Sequence, residues 1–241
     1  SRGHSYSGYN QMLTGVDAPE ALQAMVVGFA PGDPFDNVPF CGGAYDILDL
    51  QWLLGMSGRV DHLDPEEDFG AGRFGSWSET EDITPEEHAA RQAILEAEPV
   101  LDPGRQTPAH LEEALRARPF AEVDLRLGLR HDRFREWIDH WKRDDYWSER
   151  SVGRESERID APTLFVTGWW DSNGRGATDF YRRLAEGTSD PHRLVIGAWD
   201  HFEQAPDTRD LPDEEAEYIE RAADRDSLND EFAWFDRHLK E

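Results

Sequence analysis

Three residues far apart in this chain have the side chains of a proton relay: a serine, a carboxylate and an imidazole. Ser5 lies in Gly3-His4-Ser5-Tyr6-Ser7-Gly8, Asp171 in Gly168-Trp169-Trp170-Asp171, and His201 in Gly197-Ala198-Trp199-Asp200-His201. A serine hydroxyl becomes a strong nucleophile when an imidazole takes its proton, and a carboxylate fixes the imidazole tautomer and stabilises the cation that forms. A serine on a sharp strand-to-helix turn, with small neighbours, holds its hydroxyl clear of the backbone, and the helix behind it lends its positive end to an oxyanion. The strict G-x-S-x-G pattern is missed by one place here, since Ser7 replaces the second glycine and Gly8 follows. Ser5 therefore also reads as an ordinary turn serine, His201 as a surface histidine beside Asp200, and Asp171 as a turn residue in Asp-Ser-Asn-Gly. The chain order of serine, acid, histidine is one that such triads use.

These residues can meet only if the elements before them end at one edge of a sheet. Tyr9, Met12, Leu13 and Val16 follow helical spacing directly behind Ser5, and Gly15 with Pro19 marks the exit. Ala24 to Ala30 is a continuous apolar run, as expected of a parallel strand covered on both faces. Thr163 to Thr167 and Arg193 to Gly197 read as two more strands, with Asp171 and His201 just beyond their C-terminal ends and a helix from about Gly174 to Ala185 between them. Leu228, Phe232, Phe235 and Leu239 share one face of a closing helix, expected to pack on the sheet.

Between Asp33 and Arg158 the reading is polar, helical and irregular. Tyr45 to Met56 reads as a buried helix, Thr84-Pro85-Glu86-Glu87 and Thr107-Pro108 as helix starts, and Phe134, Trp137, Ile138 and Trp141 as a core-facing stripe. The organisation expected is an α/β core over 1–32 and 159–241, interrupted by a mostly helical cap over 33–158.

Composition excludes several classes. The 241 residues include 38% hydrophobic side chains and nine tryptophans, too many anchors for a disordered acidic chain. No apolar run is long enough to span a bilayer, and one cysteine, Cys41, allows neither an internal disulfide nor a cysteine-built zinc cage. A net charge of −26, with Lys142 and Lys240 the only lysines, argues against a nucleic-acid partner. The same excess reads either as a solvated acidic face or as adaptation to salt, which screens self-repulsion. Competing site motifs fail on their chemistry. The run Asp171 to Gly176 imitates the start of a calcium loop but has Arg175 and Arg182 at ligand positions, and His131, Asp132 and His140 lack zinc-site spacing. Cys41 has no thiol-nucleophile setting, and Gly72-Arg73-Phe74-Gly75 lacks the lysine of a phosphate loop.

Taken together the motifs resemble the hydrolase core of the Xaa-Pro dipeptidyl-peptidase-like family, the CocE/NonD hydrolases that include cocaine esterase and α-amino-acid ester hydrolases. Gly3 to Gly8 matches that family's G-x-S-Y-x-G elbow in full, Gly168 to Asp171 its G-W-x-D segment, and Gly197 to His201 its G-P-W-S-H segment, with Ala198 for proline and Asp200 for serine. Weaker echoes occur at Gly42-Gly43-Ala44, Asp145-Tyr146-Trp147 and Trp234 to Leu239. The resemblance implies an α/β-hydrolase core and a cofactor-free and metal-free acyl transfer by Ser5, Asp171 and His201. It further implies a small ester, amide or short peptide as substrate and the backbone N–H of Tyr6 as one oxyanion donor; the lack of a long apolar run separately leads us to expect no membrane partner. It also implies that this is an internal piece of a longer protein: relatives have strands before the elbow, including a tyrosine that supplies the second oxyanion donor, and a β-sandwich after the closing helix. Candidates for substrate specificity are Phe40, Tyr45 and Trp52.

Overall fold

The structure, a computed structural model, describes residues 1–17, 19–56, 86, 109–127, 131–153, 155–187 and 191–240. The expected helix start at Thr84, Pro85 and Glu87 and the pair Thr107-Pro108 lie outside these residues. In chain order the strands are β1 (Arg2–His4), β2 (Met25–Gly28), β3 (Pro34–Phe35), β4 (Val38–Pro39), β5 (Thr163–Gly168) and β6 (His192–Gly197). The helices are α1 (Tyr6–Val16), α2 (Ile47–Met56), α3 (Ala109–Arg116), α4 (Val123–Arg126), α5 (Asp132–Asp139), α6 (Asp145–Ser148), α7 (Gly174–Gly187), α8 (Asp213–Ala223) and α9 (Leu228–Leu239). Among the described residues no helix is long and apolar enough to cross a membrane.

Contacts divide the chain into two units: Ser1–Ala44 with Arg143–Glu241, and Tyr45–Lys142. In the first, β1, β2, β5 and β6 form a parallel sheet in the order β1-β2-β5-β6. Side chains of a strand alternate between faces, and both faces of this sheet are covered. Met25, Val27 and Phe165 pack with Tyr9, Met12 and Val16 of α1 and Phe180 and Leu184 of α7. Val26, Leu164, Val166 and Val195 pack with Trp199 and with Trp234 of α9. Burial on both sides is why these strands read as continuous apolar runs. Within the first unit, residues just before position 45 contact residues just after position 142. Arg143 donates to Asp36 at 2.8 Å, Trp147 packs on Phe35 and Phe40, and buried Asp33 accepts from the Ser151 hydroxyl at 2.6 Å. Residues 33–44 and 143–158, expected in the cap, thus count with the sheet.

The second unit has its own core of Leu50, Leu53, Ala114, Val123 and Phe134. Buried Asp124 accepts from the Arg135 guanidinium and, at 3.1 Å, from the His131 backbone, which joins α4 to α5.

Several expectations about faces need correction. The strand β1 has no signature in the sequence, because three residues ahead of an elbow carry no periodicity. In α1 the buried side is Tyr9, Met12, Gly15 and Val16, whereas Leu13 is exposed. Of the expected α9 stripe, Phe235 is partly buried against the sheet core, whereas Leu228, Phe232 and Leu239 are exposed, and Glu231 and Trp234 are buried. On that inward side Trp234 packs into the sheet core, and Glu231 pairs with Arg2 of the edge strand. Phe134 is buried in α5, but Trp141 lies beyond the end of that helix and is 60% exposed. The acidic helix α8 buries no side chain, so hydrophobic periodicity did not mark it.

Candidate active site

Ser5 occupies the junction between β1 and α1. Its φ of 55° and ψ of −127° fall where a residue with a side chain is seldom found, and its N–H donates to the carbonyl of Gly28 at 2.8 Å, holding the turn against β2. The glycine requirement follows from the local geometry. A Cβ on Gly3 would stand 2.1 Å from the carbonyl oxygen of Ser7, and one on Gly8 would stand 2.8 Å from that of Gly28. Ser7, where the strict pattern expects glycine, is exposed and free of that constraint. The small residue this elbow needs is at position 8.

The acid and the base leave the sheet from paired glycines. Gly168 and Gly197 stand opposite one another in the β5–β6 register. A Cβ on Gly168 would lie 2.0 Å from the Trp199 carbonyl oxygen, and one on Gly197 would lie 2.2 Å from the Trp199 ring. With no Cβ in the way, the two loops cross: Trp169 N–H donates to Gly197 O and Trp170 N–H to Trp199 O, each at 3.0 Å. The buried Trp199 ring is itself anchored by Nε1 donating to Ala223 O at 2.9 Å.

Asp171 is buried and accepts three hydrogen bonds. Thr167 Oγ1 donates to Oδ2 at 2.7 Å, and the Asn173 N–H and His201 Nδ1 donate to Oδ1 at 2.9 and 2.8 Å. Because Nδ1 faces a carboxylate, it carries the proton of the neutral imidazole, and Nε2 is left as the acceptor. Nε2 lies 2.9 Å from Ser5 Oγ. The arrangement can carry a proton from the hydroxyl to an imidazole whose resulting cation is balanced by a carboxylate. Asp200, a departure from the resembled motif, points away from this relay. Its Oδ1 accepts from the N–H groups of Phe202 at 2.8 Å and Gln204 at 3.0 Å, closing the loop that carries His201.

The three sequence-predicted side chains are thus within one hydrogen-bonded line. Tyr6 is the first residue of α1, where an N–H has no acceptor within the helix, and its ring is exposed. Thr167 and Asn173 belong to the same network and went unnoticed in the sequence, where a strand threonine looks like a β-branched filler and Asn173 like a turn residue. Among the specificity candidates, Phe40 is buried on Phe35 and Trp147, Tyr45 packs on Phe120, Phe134 and Trp137, and Trp52 is exposed. His131 caps α5 by accepting from the Phe134 N–H at 3.2 Å. Among the described residues no three or more His, Cys, Asp or Glu side chains gather as a metal site.

Fold and site together define an α/β-hydrolase core. The family described as X-Pro dipeptidyl-peptidase (S15 family) matches residues 1–203, and the chain belongs to it. Solved structures similar to this chain include two hydrolytic enzymes. An alpha-amino acid ester hydrolase labelled with selenomethionine has a TM-score of 0.61 and 18% identity, covering 99% of this chain and 34% of its own. An aminopeptidase from the marine sediment archaeon Thaumarchaeota archaeon has a TM-score of 0.53 and 17% identity, again covering 99% and 34%. At these identities the likeness is one of fold, and the chain spans about a third of the length of either structure. No curated protein matches the sequence.

Proposed function

We propose that this chain carries the catalytic centre of a serine hydrolase that cleaves ester or amide bonds of small acyl substrates. The observation that supports it is the continuous line from Ser5 Oγ through His201 to Asp171, with steps of 2.9 and 2.8 Å. In this reading His201 Nε2 takes the hydroxyl proton as Ser5 Oγ bonds to the substrate carbonyl carbon, and the carbonyl electron pair moves onto its oxygen. The N–H of Tyr6, at the positive end of α1, is the oxyanion donor contributed by this chain. As the tetrahedral centre collapses, the bond to the leaving group breaks and Nε2–H protonates that group. Water, deprotonated by His201, then releases the acyl group from Ser5. A second reading, release of Xaa-Pro dipeptides, is favoured by the family match.

The test uses the full-length protein with a fluorophosphonate probe, a p-nitrophenyl ester and an Xaa-Pro p-nitroanilide. Labelling at Ser5 is expected, with Ser5→Ala abolishing it and reducing turnover by about 10⁴-fold or more. Turnover of the ester without the anilide supports the first reading, and preference for the anilide supports the second. Neither labelling nor turnover would make the chain a non-catalytic relative and overturn both.

A further inference from the structure

The residue before the nucleophile is a histidine that the relay does not use. His4 is partly buried, and its Nε2 lies 3.0 Å from the main-chain oxygen of His201. A carbonyl only accepts, so Nε2 carries the proton and donates. The His4 ring lies nearly flat on Phe29, with centroids 4.7 Å apart and planes at 25°. Phe29 is held in turn: its N–H donates to Val166 O at 2.7 Å, and its carbonyl accepts from Asn173 Nδ2 at 3.0 Å. The His201 ring stands edge-on in the corner these two rings make, 5.4 Å from His4 and 6.1 Å from Phe29.

We propose that His4 is a positioning residue for the base, clamping the main chain of His201 to the strand that delivers Ser5. The proposal rests on the serine hydrolase reading above. Its physical basis is that, among the described residues, two hydrogen bonds join the base to the elbow, and one of them is the reacting bond between Ser5 Oγ and His201 Nε2. That bond is given up when Oγ attacks and Nε2–H turns to the leaving group. The Asp171 carboxylate still orients the ring through Nδ1, but the ring's distance from the elbow is then kept by His4 and the loop's internal bonds. An ångström of drift in a reacting group is costly in rate.

The electrostatic setting is compatible with this role. Burial holds His4 below the ordinary histidine value, and the neighbouring His201 lowers it further. Its hydrogen bond to the His201 carbonyl and the Asp171 charge pull upward, and Arg2 pushes down. A neutral His4 donates through Nε2 to the His201 carbonyl.

The test compares His4→Leu and His4→Gln in the full-length protein, with p-nitrophenyl ester kinetics and the rate of fluorophosphonate labelling at Ser5. Leucine removes the donor, and glutamine places an N–H near the position of Nε2. His4→Leu is expected to lower kcat by about ten- to a hundredfold, with KM changed by less than about threefold and labelling slowed in parallel. His4→Gln is expected to stay within about fivefold of the wild type. A His4→Leu protein with more than half the wild-type kcat overturns the proposal, as does a folded His4→Gln protein no faster than His4→Leu. Should His4→Leu not fold, His4→Asn replaces it: its shorter amide mimics Nδ1, so it should be slow where His4→Gln is fast, and equal rates overturn the clamp. Wild-type protein that is not labelled at Ser5 sinks the hydrolase reading itself, an outcome distinct from any of these.

Discussion

Thr167 has no partner in any motif, yet it meets the carboxylate oxygen that His201 does not. Its hydroxyl donates to Asp171 Oδ2 at 2.7 Å from a fully buried site on β5, leaving Oδ1 to face the imidazole. Replacing it with valine keeps the volume and strands a buried carboxylate oxygen. Thr167→Val is therefore expected to cut kcat about ten- to a hundredfold, with Thr167→Ser recovering most of the loss, in steady-state ester hydrolysis. A Thr167→Val enzyme within twofold of wild type would show that Asn173 and the loop suffice to hold the acid. The relay itself was legible in the sequence because all three residues sit in glycine-marked turns, Asp171 and His201 after apolar runs and Ser5 ahead of a helical pattern. Thr167 was not, since its side chain matters through the carboxylate it touches four positions on, and its residue type is common in strands.

At the scale of elements, the glycines that end β5 and β6 decide whether the two site loops can cross. Gly197→Ala would drive a Cβ to 2.2 Å from the buried Trp199 ring, which cannot swing away without releasing its bond to Ala223 and uncovering Val166 and Val195. We expect Gly197→Ala to destabilise the protein by about 1–3 kcal/mol or more and to slow Ser5 labelling. Gly187→Ala, at the end of α7 with its nearest neighbour 3.9 Å away, should leave both unchanged. Thermal melts and labelling rates on the two variants make the comparison, and an unperturbed Gly197→Ala protein would remove this account of the strand ends. Strands buried on both faces were readable from apolar continuity alone. The orientation of α9 was not, because an apolar stripe is the usual guide to a buried helix face, and here the buried side carries Trp234 together with Glu231, which pairs with Arg2 more than two hundred positions away in the chain.

For the molecule as a whole, a net charge of −26 carried with so few lysines makes self-repulsion a term that ions can relieve. The screening length falls from about 10 Å at 0.1 M salt to about 3 Å at 1 M. We propose that the fold is tuned to saline conditions, and raising KCl from 0.1 to 2 M is then expected to lift Tm by several degrees, at about 2–4 °C for each kcal/mol gained. A flat or falling Tm in that titration would leave the acidic surface as an ordinary solvated one. The division of the chain has a different consequence. Ser5, Thr167, Asp171, Asn173 and His201 all belong to the unit built on the sheet, and the segment 45–142 departs from it and returns where Asp36 and Arg143 already hold the flanks together. An insertion, deletion or replacement confined to that excursion therefore changes none of these five side chains, and its sequence and length are free to vary independently of the proposed relay.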